Sequence, residues 1–510
     1  FNDIGGTPAH ASDWLLRTVL RERWGFGGIV VSDWAGIEQL TAHGVAASLG
    51  DAGIRALRAG VDVDMADGVY TDSLAAAVRA GRLAESVIDT AVTRVLRTKF
   101  ALGLFRDPYR GVTVERERAA TLTPAHIAAA RESARRAIVL LANANGTLPL
   151  PKTLRSLAVI GPLADDARSM LGNWAAIGRP EDAVTVLAGI RRAVEPGTRV
   201  LYARGAPVDT ASTAGFADAV RIAREADAVI LVLGEREDMS AEAASRASLE
   251  LAGAQLGLAQ AVVRAARASR AGASKPVVAV LVNGRPLATP WLADSVPALL
   301  ETWLLGVQHG VAVADVLFGD ANPGGKLPVS VPRATGQVPI YYNHRNTGRP
   351  PEAAEKYTSK YADLPWTPLY PFGHGLSYTT FAYRDLHLSS PTMRATDSLR
   401  VSVTVTNSGR RAGDEVVQLY LRDDVASVAR PVKELRRFER ITLEPGESRT
   451  VRWTLGPDDL AFYDGALRRI VEPGTFTLYA GTSSADESHL ARFTVTGDTL
   501  VLAAPPPRFR

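Results

Sequence analysis

A chain of 510 residues has room for about three domains at roughly 150 residues each, and 46% apolar with 22% charged residues is the composition of an ordinary folded protein. Its 58 basic and 54 acidic side chains nearly balance, the cations being 51 arginines and seven lysines, and no dense basic block marks a nucleic-acid partner. The lack of cysteine excludes disulfides, thiolate nucleophiles and cysteine-type zinc sites, and no apolar run reaches the roughly 18 residues that span a bilayer.

From Phe1 to about Pro108 strand and helix signals alternate. A helix over Trp14 to Arg23 leads to Gly28–Val31, which reads as a short, fully buried strand ending at Ser32 and Asp33. An Ala-rich helical stretch runs to Arg58, a second short strand lies in Ala59–Met65, and a helix over Leu83 to Phe100 carries Val87, Ile88, Ala91 and Val95 at helical spacing, a pattern that Leu102 extends. A carboxylate at the C-terminal end of a barrel strand faces the ligand, which makes Asp33 a candidate for chemistry. Asp33 is equally a fitting N-cap for a helix over Trp34 to Leu40, and spacing alone leaves both readings open.

The ordered run GTPAHASDWLLRTVLRERWGFGGIVVSDW, Gly6 to Trp34, resembles the nucleophile segment of glycoside hydrolase family 3, whose members read Asn-Gly-x-Pro, a Leu-Leu helix, Arg-x-x-Trp-Gly-Phe and Ser-Asp. The resemblance implies that Asp33 is the nucleophile, that Trp34 lines the sugar pocket, and that residues 1–112 are the C-terminal part of a (β/α)8 barrel. A complete barrel takes about 250 residues, so the chain is expected to begin inside one, without the strands whose side chains grip the sugar hydroxyls. Phe1 falls where many relatives carry tyrosine, a departure expected to touch the nucleophile's hydrogen bonding.

Residues 113–345 read as an α/β sandwich. Buried-strand signals recur at Ala137–Asn143, Leu157–Pro162, Val200–Gly205, Ala228–Gly234, Val277–Gly284 and Ala298–Leu304, with helical stretches such as Phe216–Ala226 and Glu250–Ala268 between them, the pattern of a mostly parallel sheet covered on both faces. Functional loops are expected at the carboxyl ends of those strands. The loop Ile160–Asp165 lacks the glycine pattern and lysine of a phosphate cradle. The loop Gly234–Arg246 carries Glu235, Glu237, Asp238 and Glu242 directly after a buried strand. Read by residue type alone, Glu242 and Arg246 are also spaced as an exposed helical ion pair. Retaining glycosidases need a second carboxyl group about 5–5.5 Å from the nucleophile, and MSAEAASR, Met239 to Arg246, resembles the family's acid/base loop. That resemblance implies Glu242 as acid/base, with Glu235 as the alternative.

Residues 346–381 read as a linker and domain junction. The stretches Ala314–Pro350 and Pro368–Phe381 again resemble the family, with Tyr341, Tyr342 and Tyr370 expected to pack or cap the junction, and His344 and His374 read as hydrogen-bonded packing residues. From Ala382 the pattern turns to alternation, at Leu399–Gly409, Glu415–Asp424, Ser448–Leu455 and Gly474–Ser484. This is the signature of an antiparallel sandwich over 382–510, resembling the fibronectin type III-like module that ends many members. The proline-rich tail from Ala503 to Arg510 is expected to be loose.

Taken whole, the resemblance implies a retaining exo-β-glycosidase of the periplasmic β-glucosidase type that releases glucose from non-reducing ends without metal or cofactor. It implies a β-glucoside or oligosaccharide partner, no nucleic acid and no membrane, and a periplasmic or secreted location. A β-xylosidase or another exo-glycosidase fits the same scaffold. From a different class, an incomplete barrel is consistent with an inactive fragment acting in binding or assembly, as a homodimer or with the missing barrel portion.

Overall fold

The computed structural model describes residues 2–268 and 275–503. The expectations for Phe1 and for the tail from residue 504 onward lie outside those residues. Two compact units make up the described chain, residues 2–121 and 122–503.

In the first unit, α1 (Leu49–Ala59) starts where the Ser48 hydroxyl accepts the Asp51 N–H and stops at Gly60, whose φ of +116° closes the helix. It is followed by α2 (Val69–Arg79) and α3 (Glu85–Ala101). Ile37, Leu40, Ala52, Ala56, Val61 and Val69 form one small core, and Ile54, Leu57, Leu74, Ala77, Leu83 and Ala91 another. The helix expected over Trp14–Arg23 is present but wound as a π-helix, its C-terminal Trp24 N–H reaching Val19 O at 3.0 Å. The two expected strands are corrected. Gly28–Val31 is half-buried rather than fully buried, and it and Ala59–Met65 shrink to one parallel bridge between Val31 and Val63. Each segment finds a ladder partner only in the other among the described residues, so neither is covered as an interior strand would be.

The second unit is built on a six-stranded sheet. Its strands are β1 (Val139–Asn143), β2 (Ser156–Ile160), β3 (Arg199–Ala203), β4 (Ala228–Gly234), β5 (Val277–Val282) and β6 (Ala298–Glu301), in spatial order β1-β6-β5-β4-β2-β3. All pairs are parallel except β1 with β6. Alternation sends Leu157, Val159, Ile230 and Val232 to one face, under helices α4 (Pro124–Ala137), α5 (Val186–Ala193) and α8 (His309–Leu317). It sends Ala158, Ile160, Val229 and Leu231 to the other, under α6 (Phe216–Glu225) and α7 (Gln255–Arg267). Both faces are buried, which is why the strands read as continuous apolar runs. The free edge of β1 is covered by the chain after the sheet: Leu376 N–H donates to Leu140 O at 2.8 Å, and the His374 imidazole to Leu141 O at 3.0 Å.

The same unit contains the expected sandwich, antiparallel except that Thr392–Arg394 pairs in parallel with Leu490–Thr496. A five-stranded sheet orders Thr392–Arg394, Leu490–Thr496, Gly474–Gly481, Gly413–Asp423 and Glu434–Leu443, and a three-stranded sheet orders Ser448–Leu455, Leu399–Asn407 and Phe381–Leu388, around Val401, Val403, Leu419, Phe476 and Phe493. It is joined to the α/β layers by polar contacts. Lys326 Nζ meets the buried Glu415 at 3.1 Å, Gln418 Nε2 donates to Gly373 O at 3.1 Å, and Arg440 binds Asp414 at 2.7 Å and the Gly324 and Arg136 carbonyls. Of the junction tyrosines, Tyr342 stacks on Phe372 at 4.3 Å and accepts the Leu435 N–H, and Tyr370 stacks on His374 at 5.1 Å, while Tyr341 stays exposed.

Candidate active site

In the first unit Asp33 follows the Val31 bridge, and the turn that carries it is tied down from both sides. Val30 O accepts the Asp62 and Val63 N–H groups, Ser32 N donates to Val63 O at 2.9 Å, and Ala35 N donates to Met65 O at 2.9 Å. The buried Ser32 hydroxyl accepts the Met65 N–H at 2.8 Å and donates to Asp33 O at 2.9 Å. Asp33 itself is exposed, its Oδ1 accepting the adjacent Trp34 N–H at 2.7 Å, and Trp34 is 69% exposed. Asp33 caps no helix: the next one, Gln39–Ala42, begins after Glu38.

Two neighbours of this turn were not singled out in the sequence. His10 Nε2 accepts the Asp33 N–H at 3.1 Å, which requires a neutral ring protonated on Nδ1. Burial lowers the His10 pKa, against the opposing pull of Asp33, so the ring is neutral at physiological pH. Asp67 Oδ2 accepts the Ile37 and Glu38 N–H groups at 3.1 and 2.9 Å and so fixes the far end of the turn. Burial, with the hydrogen bond to Asp67, pushes Asp64 up to about 6; Asp67, though burial works against it, is held low by Asp64 and by backbone N–H groups.

In the second unit β4 delivers Glu235 at its carboxyl end. The side chain is fully buried, with Arg246 Nη1 on Oε1 at 2.5 Å and Arg285 Nε on Oε2 at 3.1 Å. The helical pairing of Glu242 with Arg246 does not form: residues 240–246 are a turn, Arg246 is engaged by Glu235, and Glu242 is exposed and makes no ion pair among the described residues. Glu242 sits between Ala241 and Ala243, with φ of +77° and +57°, a left-handed conformation that costs about 1–2 kcal/mol per non-glycine residue.

Behind this loop the ends of β5 and β6 bury a polar cluster. Asn283 Nδ2 donates to Glu301 Oε2 at 3.1 Å, Trp303 N–H donates to Glu301 Oε1 at 3.0 Å, and Thr302 Oγ1 lies 3.2 Å from His309 Nε2. Burial raises Glu301 to about 8 and lowers His309 to about 3, so both are neutral at pH 7. A signal that could have marked Arg285 is its charge three residues past the apolar run Val277–Val282; His10 had none beyond its residue type. No group of side chains among the described residues is arranged to hold a metal ion, and no helix there is long and apolar enough to cross a membrane.

Residues 1–98 match the glycosyl hydrolase family 3 N terminal domain, 138–378 the family 3 C-terminal domain, and 415–484 a fibronectin type III-like domain. A periplasmic β-glucosidase of Salmonella typhimurium is 45% identical over 95% of this chain, which spans 65% of that protein's length. A β-xylosidase of Formosa agariphila is 40% identical over 97% of this chain and 68% of its own. The crystal structure of a β-glucosidase from Listeria innocua in complex with glucose superposes with a TM-score of 0.89 at 38% identity, covering 98% of this chain and 67% of that one. The N-terminal match carrying Asp33, the C-terminal match carrying Glu242 and the terminal sandwich occur in one order along one chain, and the chain belongs to glycoside hydrolase family 3.

Proposed function

We propose that this chain carries the catalytic carboxylates of a retaining exo-β-glycosidase that releases glucose from β-glucosides. The observation that carries the reading is the 45% identity to a periplasmic β-glucosidase along 95% of the chain. The exposed Asp33 and Glu242, each on a turn held by buried polar contacts, support the assignment of roles.

In the first step an Asp33 carboxylate oxygen attacks the anomeric carbon. The bond from that carbon to the aglycone oxygen breaks, and the leaving oxygen takes the proton of the Glu242 carboxyl group. In the second step the Glu242 carboxylate removes a proton from water, the water oxygen attacks the same carbon, and Asp33 is released, giving net retention. Trp34, largely exposed beside the nucleophile, offers an aromatic face to the C–H face of a sugar ring. Glu235 has both oxygens occupied by guanidinium groups and no access to solvent, which fits a scaffold better than an acid. A periplasmic location rests on the same relative.

The test is covalent trapping with a 2-deoxy-2-fluoro β-glucoside bearing a good leaving group, followed by peptide mass spectrometry. A sugar adduct on the peptide containing Asp33 is expected; an adduct on another carboxylate overturns the assignment. A β-xylosidase is the second reading, favoured by the 40% identity to the Formosa agariphila enzyme. Paired turnover of aryl β-glucosides and β-xylosides decides between them.

A further inference from the structure

We propose that Arg285 is a positioning residue that fixes the Glu242 carboxyl group by clamping both ends of the turn that carries it. The proposal rests on Glu242 being the acid/base. Arg285 leaves the end of β5 beside Glu235, and its Nε–H donates to Glu235 Oε2 at 3.1 Å. Its Nη2 donates to the carbonyls of Met239 and Ala244, the latter at 2.6 Å. Those two carbonyls bracket Glu242, so one guanidinium ties the start of the turn to its end and both to the buried end of β4.

The clamp has a physical task. Ala241 and Ala243 hold φ of +77° and +57°, and alanine stays in that region only where the surroundings over-determine it. Three further contacts act at the ends of the turn and leave its tip alone. Ser240 is buried against Gly284, where a β-carbon would overlap its hydroxyl. Arg246 joins Glu235 to the Glu250 carbonyl at 3.0 Å, and the Leu249 N–H donates to Thr335 Oγ1 at 2.9 Å. Among the described residues, only Arg285 bonds carbonyls on both sides of Glu242. An ammonium in its place keeps the charge facing Glu235 but lacks the planar fork that reaches two carbonyls and a carboxylate together.

Arg285→Lys and Arg285→Ala in the full chain test this, with Glu242→Ala as reference. Hydrogen exchange read by mass spectrometry needs no turnover. In Arg285→Lys, amides of residues 240–245 should exchange about 10-fold faster or more while residues 228–234 of β4 keep their protection. Unchanged exchange at 240–245 overturns the clamp. In the active enzyme, Arg285→Lys should lower kcat by about 10- to 100-fold on aryl glucosides with poor leaving groups, part of the ~10²–10⁴-fold a general acid contributes. It should act far less on a dinitrophenyl glucoside, and the double variant with Glu242→Ala should be no slower than Glu242→Ala alone. Equal loss on both substrates means a merely structural role and overturns the proposal. If Glu242→Ala itself shows no leaving-group dependence, the acid/base reading fails and the positioning role with it, whereas a normal Glu242→Ala profile beside an unaffected Arg285→Lys removes the clamp alone.

Discussion

The imidazole of His10 lies directly over the α-carbon of Gly36, where a β-carbon would meet Cε1 at 2.7 Å and Nε2 at 2.8 Å. Glycine at this position leaves room for the ring that accepts the Asp33 N–H. Gly36→Ala should displace His10 and shift the nucleophile's turn. Misplacement near 1 Å costs about 100-fold, so a kcat lower by about 10- to 100-fold is expected. A double variant with His10→Ala should be no worse than His10→Ala alone, which steady-state kinetics on an aryl β-glucoside will read.

Asp33→Asn keeps an acceptor for the Trp34 N–H and should leave the melting temperature unchanged while abolishing turnover. Glu242→Ala should instead slow substrates with poor leaving groups most, and azide should partly restore the second step by attacking the glycosyl-enzyme without needing a base. Loss without azide rescue would move the acid/base assignment to Glu235.

Two buried groups set the pH range of stability. Glu301 is raised to about 8 by burial, so between about 4.5 and 8 the folded state holds a proton the unfolded chain has released, and its contribution to stability falls as pH rises through that range. His309 is lowered to about 3 by burial, so its contribution is present above 6.5 and falls as pH drops toward 3. The two slopes oppose each other between about 4.5 and 6.5. Melting temperature against pH should show a plateau there; in Glu301→Gln the cancellation is lost, so the melting temperature should rise with pH up to about 6.5 and stay level above it, where the unchanged protein declines.

Lys326 and Glu415 form a buried ion pair where the α/β layers meet the sandwich, and Tyr383 donates to the same carboxylate at 3.1 Å. Lys326→Ala leaves the carboxylate without its cation, at an expected cost of about 3–5 kcal/mol. The double change Lys326→Met with Glu415→Gln keeps an acceptor for Tyr383 and should recover most of it. Denaturant unfolding of the unchanged protein and the two variants measures both.

The sequence displayed the six-stranded sheet best, because strands buried on both faces must be apolar throughout, and each of the six runs contains a strand. The sandwich strands were legible through alternation for the matching reason, one face in and one out. Gly28–Val31 was read as more buried than it is, since an apolar run records what a strand is suited to and says nothing of which neighbours pair with it. Asp33 and Glu242 stood out through the motifs around them. His10, Arg285 and the Glu301–His309 cluster did not, since a role as support is set by contacts that converge from distant segments, as Arg285 meets Glu235 across 50 positions.

The short segment from His374 to Leu376 fills the outer edge of β1 with its own hydrogen bonds. Backbone carbonyls along such an edge are a template for another chain's strand. A protein cut before Pro371 would present that edge bare, next to an apolar sheet, and would be prone to aggregate. The connector that leads into the sandwich therefore also guards the sheet against self-association.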